Sequence, residues 1–302
     1  MPNTLAHIGV QGLLTRAVAR KADFKWICLG CIIPDLPWIL QRAVWFLGTD
    51  VVNAYDLRLY TVVQSSLLAS LVLCASAAMF SASPRSIFSV LALNSAAHLV
   101  LDALETKWAN GVLLFAPFSW QLLNFGLFWP ESVVIFAATA FGLGYFVYAW
   151  RVKPGQSIAL SMGLRARTAI GLALLGVYLL SPLLFVADSE KANNHYVAVL
   201  RDSGQRAGKY IEMDRSYFFQ RDGDVIVRVL NNEEIVLLGR VEAASGAISV
   251  RGRFVDENIV EVHDSHEHST GFRDGASMVG LFLIGVLWLG QVRRPPPQGS
   301  DA

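Results

Sequence analysis

Cysteine is scarce in this chain. Three residues among 302 exclude a disulfide-stapled scaffold. Charge is scarce too: 16% of residues are Asp, Glu, Lys or Arg, against roughly a quarter in an ordinary soluble domain, so a soluble globular protein is not expected. No glycine-rich loop is built to cradle a phosphate, and no serine sits in a nucleophile elbow. No dense basic face is present, so no nucleic-acid partner is expected. The first apolar stretch lacks a basic start and a small-residue cleavage site, so a cleavable signal peptide is not expected either. There is no internal repeat, and without two matching halves a transporter is not expected.

Apolar material is what abounds. Residues of hydrophobic type make up 54% of the chain and aromatics 11%, which excludes disorder. Charge is unevenly shared. Residues 188–274 hold 11 Lys/Arg against 16 Asp/Glu, net −5, and the remainder holds 14 against 8, net +6. The composition describes a membrane protein carrying one acidic, water-soluble insert.

A bilayer core about 30 Å thick needs roughly 20 apolar residues per helical crossing. Five stretches meet that need: 60–82, 87–104, 128–150, 168–187 and 276–292. Ahead of them, 4–19 is a helix candidate capped by Asn3 or Thr4, and 26–47 is apolar but interrupted by Pro34, Asp35 and Pro37. Proline inside a helix removes a hydrogen bond, so two short helices broken at 34–37 are expected there. The fold class is a multi-pass membrane helical bundle, with five full transmembrane helices plus broken N-terminal ones. The units are 1–187, a β-rich insert at 188–274, a last helix at 275–294 and a disordered tail at 295–302. Lys and Arg cluster at 16–25, Arg85, 151–167 and 293–294; placed in the cytoplasm, they put the insert outside and the C-terminus inside.

The insert alternates like β structure. Arg221-Asp222-Gly223-Asp224 is a hairpin turn between 210–220 and 225–230, and further strands are expected at 235–241, 247–255 and 258–262. The expected arrangement is a meander forming a small sandwich or open barrel.

Ionisable residues inside apolar helices are costly and point to function. His98 and Asp102 stand four apart on one helix face, which suits two metal ligands or a hydrogen-bonded pair. Asp35 lies in the proline break, either as a site residue or as a plain cap for the next helix. At about 1.5 Å of rise per residue, His7, Asp35, His98 and Asp102 reach the middle to outer half of the bilayer, provided the first helix descends from that side. His263-Asp264-Ser265-His266-Glu267-His268 is expected to be a solvated loop, although His266 and His268 would share one face of a strand. Cys28 and Cys31 have redox spacing without the strand context that motif needs; with Cys74 they are expected to be small core residues. Gly142 and Gly144 are expected to allow close helix packing.

Several short motifs occur in a familiar order: Asn3-Thr4-Leu5-Ala6-His7-Ile8-Gly9, Gly30 with Pro34-Asp35, Gln64-Ser65-Ser66-Leu67-Leu68, His98-Leu99-Val100-Leu101-Asp102 and Leu114-Phe115-Ala116-Pro117-Phe118-Ser119. Over residues 1–120 the chain resembles the membrane-bound predicted metal-dependent hydrolases of bacterial inner membranes. The resemblance implies His7, Asp35, His98 and Asp102 as metal ligands, with Asp102 or Asp35 as the acid/base group. It implies a divalent metal, zinc by donor type, and metal-activated water. Pro37 stands where the family has a second Asp, and Gln64-Ser65-Ser66 where it has Thr-His-Ser. Trp108, Trp120 and Trp129 near an outer pocket suggest a lipid or lipid-linked ester or phosphoester. The alternative is a catalytically degenerate scaffold presenting the insert to an extracytoplasmic protein partner.

Overall fold

The computed structural model describes residues 3–47, 53–152, 158–161, 165–193, 195–239, 245–269 and 271–292. The expected tail at 295–302, the Arg293-Arg294 pair and the end of the expected strand at Val241 lie outside them.

Helix α1 (Thr4–Val18) starts where the Asn3 side chain accepts from the Ala6 amide at 3.0 Å, so Asn3 is the cap. Next come α2 (Phe24–Gly30), a 3₁₀ turn at Ile33–Asp35 and α3 (Leu36–Phe46). The prolines break the helix as expected, yet Phe24–Phe46 is long and apolar enough to cross a membrane as one unit. The expected continuous helix at 60–82 is instead α4 (Ala54–Gln64) and α5 (Leu67–Met79), bent by 69°. Ser65 Oγ turns back to the Val62 carbonyl, and Ser66 Oγ caps α5 by accepting from the Ala69 amide. Local hydroxyl bonds thus end one helix and start the next where Gln64-Ser65-Ser66 interrupts the apolar run.

The remaining long helices are α6 (Pro84–Leu104), α7 (Val133–Val152) and α8 (Arg165–Leu180). A 3₁₀ turn links α8 to α9 (Val186–Ala192), and α10 (Val197–Arg201) follows. Five strands come next: β1 (Tyr210–Arg221), β2 (Asp224–Arg228), β3 (Glu234–Leu238), β4 (Ser245–Asp256) and β5 (Ile259–His268). Helix α11 (Phe272–Val292) closes the described chain. Five spans, Phe24–Phe46, α6, α7, Arg165–Ala192 and Phe272–Gly290, are long and apolar enough to cross a membrane. Their outer faces agree: Val133, Leu184 and Phe282 are exposed, an arrangement that lipid favours and water penalises.

The strands close a barrel in the order β1-β2-β3-β5-β4, which corrects the expected meander. Closure comes from the parallel pairing of β3 with β5, Val236 opposite Ile259. Register shifts in the β1–β4 and β4–β5 pairs coil the long strands, and closure removes the free edges. The expected hairpin turn is present, with Asp222 at φ 55° and Gly223 at φ 91°, the left-handed pair that an Asp-Gly turn supplies. Strand β5 runs through His268, with Asp264–His268 paired to β4 and His263 at a register shift, so residues 263–268 are strand and not a solvated loop. Ile211, Val227, Phe218, Ile248 and Val260 fill the barrel, and Tyr55 and Leu59 of α4 join that core. Bundle and barrel therefore share apolar packing.

Candidate metal centre

Four elements converge on one buried point. Asn3 ties the start of α1 to α7, its Nδ2 donating to Thr139 Oγ1 at 2.7 Å. Backbones touch below it: a Cβ on Gly142 would stand 1.8 Å from the Leu5 carbonyl oxygen. Nothing lies within 4 Å of the same position on Gly144, so of the two expected packing glycines only Gly142 serves that purpose. Helix α2 also approaches α6 closely, because a Cβ on Gly30 would meet Asn94 Cβ at 2.7 Å. That approach carries the Cys31 carbonyl to His98 and the 3₁₀ turn with Asp35 beside it.

His7 and His98 are fully buried and stack face to face, ring centroids 3.8 Å apart and 3° from parallel. His98 Nδ1 lies 2.7 Å from the Cys31 carbonyl oxygen. A carbonyl only accepts, so Nδ1 carries the proton, and in the neutral ring Nε2 is bare. That bare nitrogen faces Asp35 Oδ1 at 3.4 Å and Asp102 Oδ2 at 3.8 Å. His7 Nε2 lies 3.4 Å from Asp102 Oδ1. Neither Nε2, nor Asp35 Oδ1, nor Asp102 Oδ1 has a hydrogen-bond partner among the described residues. Lone pairs aimed at carboxylates in a dry pocket call for a proton or a cation between them.

Asp35 makes no capping bond to α3, so it is not the plain helix cap that the sequence also allowed. Gln64, in the segment that the resemblance aligned with Thr-His-Ser, donates through Nε2 to the Tyr60 hydroxyl at 3.1 Å. Trp108 and Trp129 pack edge to face at 5.2 Å and turn toward the barrel, where Trp129 stacks on His266. Cys28, Cys31 and Cys74 are free and buried, as small core residues are.

Two contributors escaped the sequence reading. Lys107, buried just past the end of α6, holds its Nζ 3.3 Å from Asp102 Oδ2. Gln11 Nε2 lies 2.8 Å from His7 Nδ1, while Gln11 Oε1 has no partner. Turning that amide by half a rotation puts Oε1 on Nδ1–H and leaves His7 Nε2 bare as well. The i,i+4 spacing of His7 and Gln11 was a usable signal for this pair; Lys107, beyond the helix end, gave none.

The carboxylates form the open side, with the Asp35 side chain 13% exposed against 0% for both imidazoles. Two surface clefts, about 250 Å³ between α7 and α11 and about 300 Å³ beside Asp23 and Ile158, lie away from this point. The start of α1 reaches Thr139 and Gly280 in the early turns of α7 and α11, the ends that adjoin the barrel. His7 thus lies toward the barrel end, as do Asp102 and Lys107 at the end of α6.

No protein-family model, no curated protein and no solved structure matches this chain. Two groups of described residues can hold a metal ion: His7, His98 and Asp102, and separately Glu131, His266 and His268.

Proposed function

We propose that the chain is a metal-dependent hydrolase of a bacterial inner membrane, acting on a lipid or lipid-linked ester or phosphoester. One observation carries this reading: the Cys31 carbonyl fixes the His98 tautomer so that its bare Nε2 faces two carboxylates. The ordered motifs of residues 1–120 support it.

His7 Nε2, His98 Nε2 and Asp102 would hold a divalent ion, and two imidazoles with one carboxylate suit zinc. Such an ion, when bound, acidifies water and polarises a phosphoryl or acyl oxygen. Asp35, beside His98 and on the open side, accepts the proton of the attacking water. Lys107 pairs with Asp102 and offers a donor to the charge that develops on the substrate. The Cys31 carbonyl and Gln11 keep the two imidazoles turned toward the site. The barrel, at the same end as the site, then lies on the extracytoplasmic side and is the surface that meets a protein partner.

The Lys107–Asp102 ion pair favours a second reading, since an ammonium there replaces part of the charge a metal would bring. Together with Pro37 and Gln64 at altered family positions, it suits a degenerate scaffold. Elemental analysis of the detergent-purified chain separates the two. The hydrolase reading expects one metal ion per chain to be lost in both His98→Ala and Asp102→Ala. A metal content that neither substitution changes, in folded protein, sinks it and leaves the scaffold.

A further inference from the structure

A second cluster of imidazole and carboxylate groups lies where the barrel meets the bundle. Alternation along β5 puts His266 and His268 on one face, and Glu131 reaches them from the turn ahead of α7. His268 Nδ1 lies 3.0 Å from Glu131 Oε1, and His266 Nε2 lies 3.6 Å from Glu131 Oε2. The ring of Trp129 stacks on His266 at 3.8 Å and 5°, and meets His268 edge-on at 5.6 Å. Both imidazole planes are therefore held.

Counting protons shows what is missing. Ser249 Oγ donates its single proton to Asp214 Oδ1 at 3.0 Å and accepts from the Arg215 amide at 3.1 Å. Its contact with His268 Nε2 at 2.8 Å must then be an acceptance, so Nε2 carries hydrogen. In the neutral ring Nδ1 is bare, and it confronts a carboxylate oxygen at hydrogen-bond distance. His266 Nε2 and Glu131 Oε2, the other facing pair, have no hydrogen-bond partner among the described residues.

We propose that Glu131, His266 and His268 bind a divalent transition-metal ion of the zinc class that clamps the barrel to the helical bundle. Two nitrogens and one carboxylate oxygen within 4.8 Å of one another are a donor set for such an ion. Donors at about 2.1 Å from a tetrahedral centre stand roughly 3.4 Å apart, and the two nitrogen–carboxylate separations, 3.0 and 3.6 Å to the two Glu131 oxygens, lie on either side of that value. The relay from His268 through Ser249 to Asp214 is the outer support that orients a ligating imidazole. Arg215 is the positive group nearby, and the carboxylates of Glu131 and Asp214 offset it. His266 and Glu131 keep side-chain exposures of 29% and 21%, so an ion can arrive from solvent and retain a water. Glu131 lies just ahead of α7 and His268 just ahead of α11, so the ion would tie two helix starts to one strand.

The test uses the full chain in detergent, stripped with a chelator and titrated with Co²⁺ while tryptophan emission is followed. Trp129, stacked on a ligand, reports binding directly. Expected is saturable quenching that Zn²⁺ reverses, that survives in His98→Ala, and that weakens by at least about tenfold in His266→Gln and in Glu131→Gln. Circular dichroism checks that the variants fold. The proposal is overturned by the wild type alone if excess Co²⁺ gives no saturable quenching, which would leave an imidazolium–carboxylate pair sharing a proton. It is equally overturned if His98→Ala abolishes the quenching, or if folded His266→Gln and Glu131→Gln bind as the wild type does.

Discussion

His98 and His268 meet the same situation through different acceptors. A Cys31 carbonyl in one case and a Ser249 hydroxyl in the other take the proton of one ring nitrogen and leave the other facing carboxylate. The His98–Asp102 spacing was legible in the sequence, because i,i+4 placement depends only on the helix. The Cys31 carbonyl that fixes one ring and the Glu131 carboxylate that faces the other come from other elements and were not legible, whereas Asp35 was reached only through the resemblance and the depth of the proline break. At this scale two outcomes can be checked in the insert. Arg206 is 1% exposed, and its guanidinium bonds Glu233, the carbonyls of Val199, Leu200 and Glu257, and Asn258. Arg206→Met strands those acceptors and should cost about 3 kcal/mol in thermal unfolding of the barrel; a loss under about 1 kcal/mol contradicts this role.

Asp214 supplies a pH test. Burial raises its carboxyl, but Arg215 beside it and hydrogen bonds from Asn110 and Ser249 outweigh that and hold it below its ordinary 3.8. A depressed carboxylate adds stability above its ordinary value and loses it as pH falls through the depressed one. The wild-type barrel should therefore lose stability on acidification below about pH 4, whereas Asp214→Asn should be weaker at neutral pH and flatter in acid. Parallel melting curves with equal acid slopes would exclude the contribution.

Among elements, the decisive contacts are backbone approaches. Gly142→Ala drives a methyl group into the Leu5 carbonyl, so it should destabilise the bundle by about 1–3 kcal/mol and loosen metal retention by displacing His7. Gly144→Ala, two residues along the same helix with nothing within 4 Å, should be neutral or stabilising by up to about 1 kcal/mol. Melting temperatures of the two variants side by side check the claim, and equal losses would refute it. Hydropathy located α6 and α11 within four residues, began α7 five residues early, and carried α8 on through the 3₁₀ turn at Ser181–Phe185 into α9. It missed the 69° bend between α4 and α5, because apolar averages are blind to the Ser65 and Ser66 hydroxyls that re-bond the backbone. It also left β5 short, since the polar run His263–His268 is a strand only by virtue of pairing with β4.

At the scale of the whole molecule, barrel and bundle are joined by specific bonds. The Ala109 amide donates to Glu212 Oε2 at 2.8 Å and Asn110 Nδ2 donates to Asp214, while Arg201 of α10, ahead of the barrel, pairs with Asp56 at 2.7 Å. The barrel thus sits over the ends of α4 and α6, and the far ends of α6 and α7 point away from it. Reporters fused after residues 155 and 230 should report opposite faces of the membrane, cytoplasm for the first and exterior for the second. The reverse result, exterior for the first and cytoplasm for the second, would overturn the placement of the barrel.

Composition and hydropathy alone determined that this is a membrane-type helical chain with an acidic β insert, and helical spacing alone put His98 beside Asp102. These are short-range properties, carried by neighbours along the chain. Tertiary structure decided the rest: that Gly142 lets α7 close on α1 and Gly30 lets α2 close on α6, that a carbonyl from α2's end sets a tautomer on α6, and that five strands shut into a barrel. Each depends on groups far apart in sequence meeting at van der Waals or hydrogen-bond distance, which no local pattern encodes.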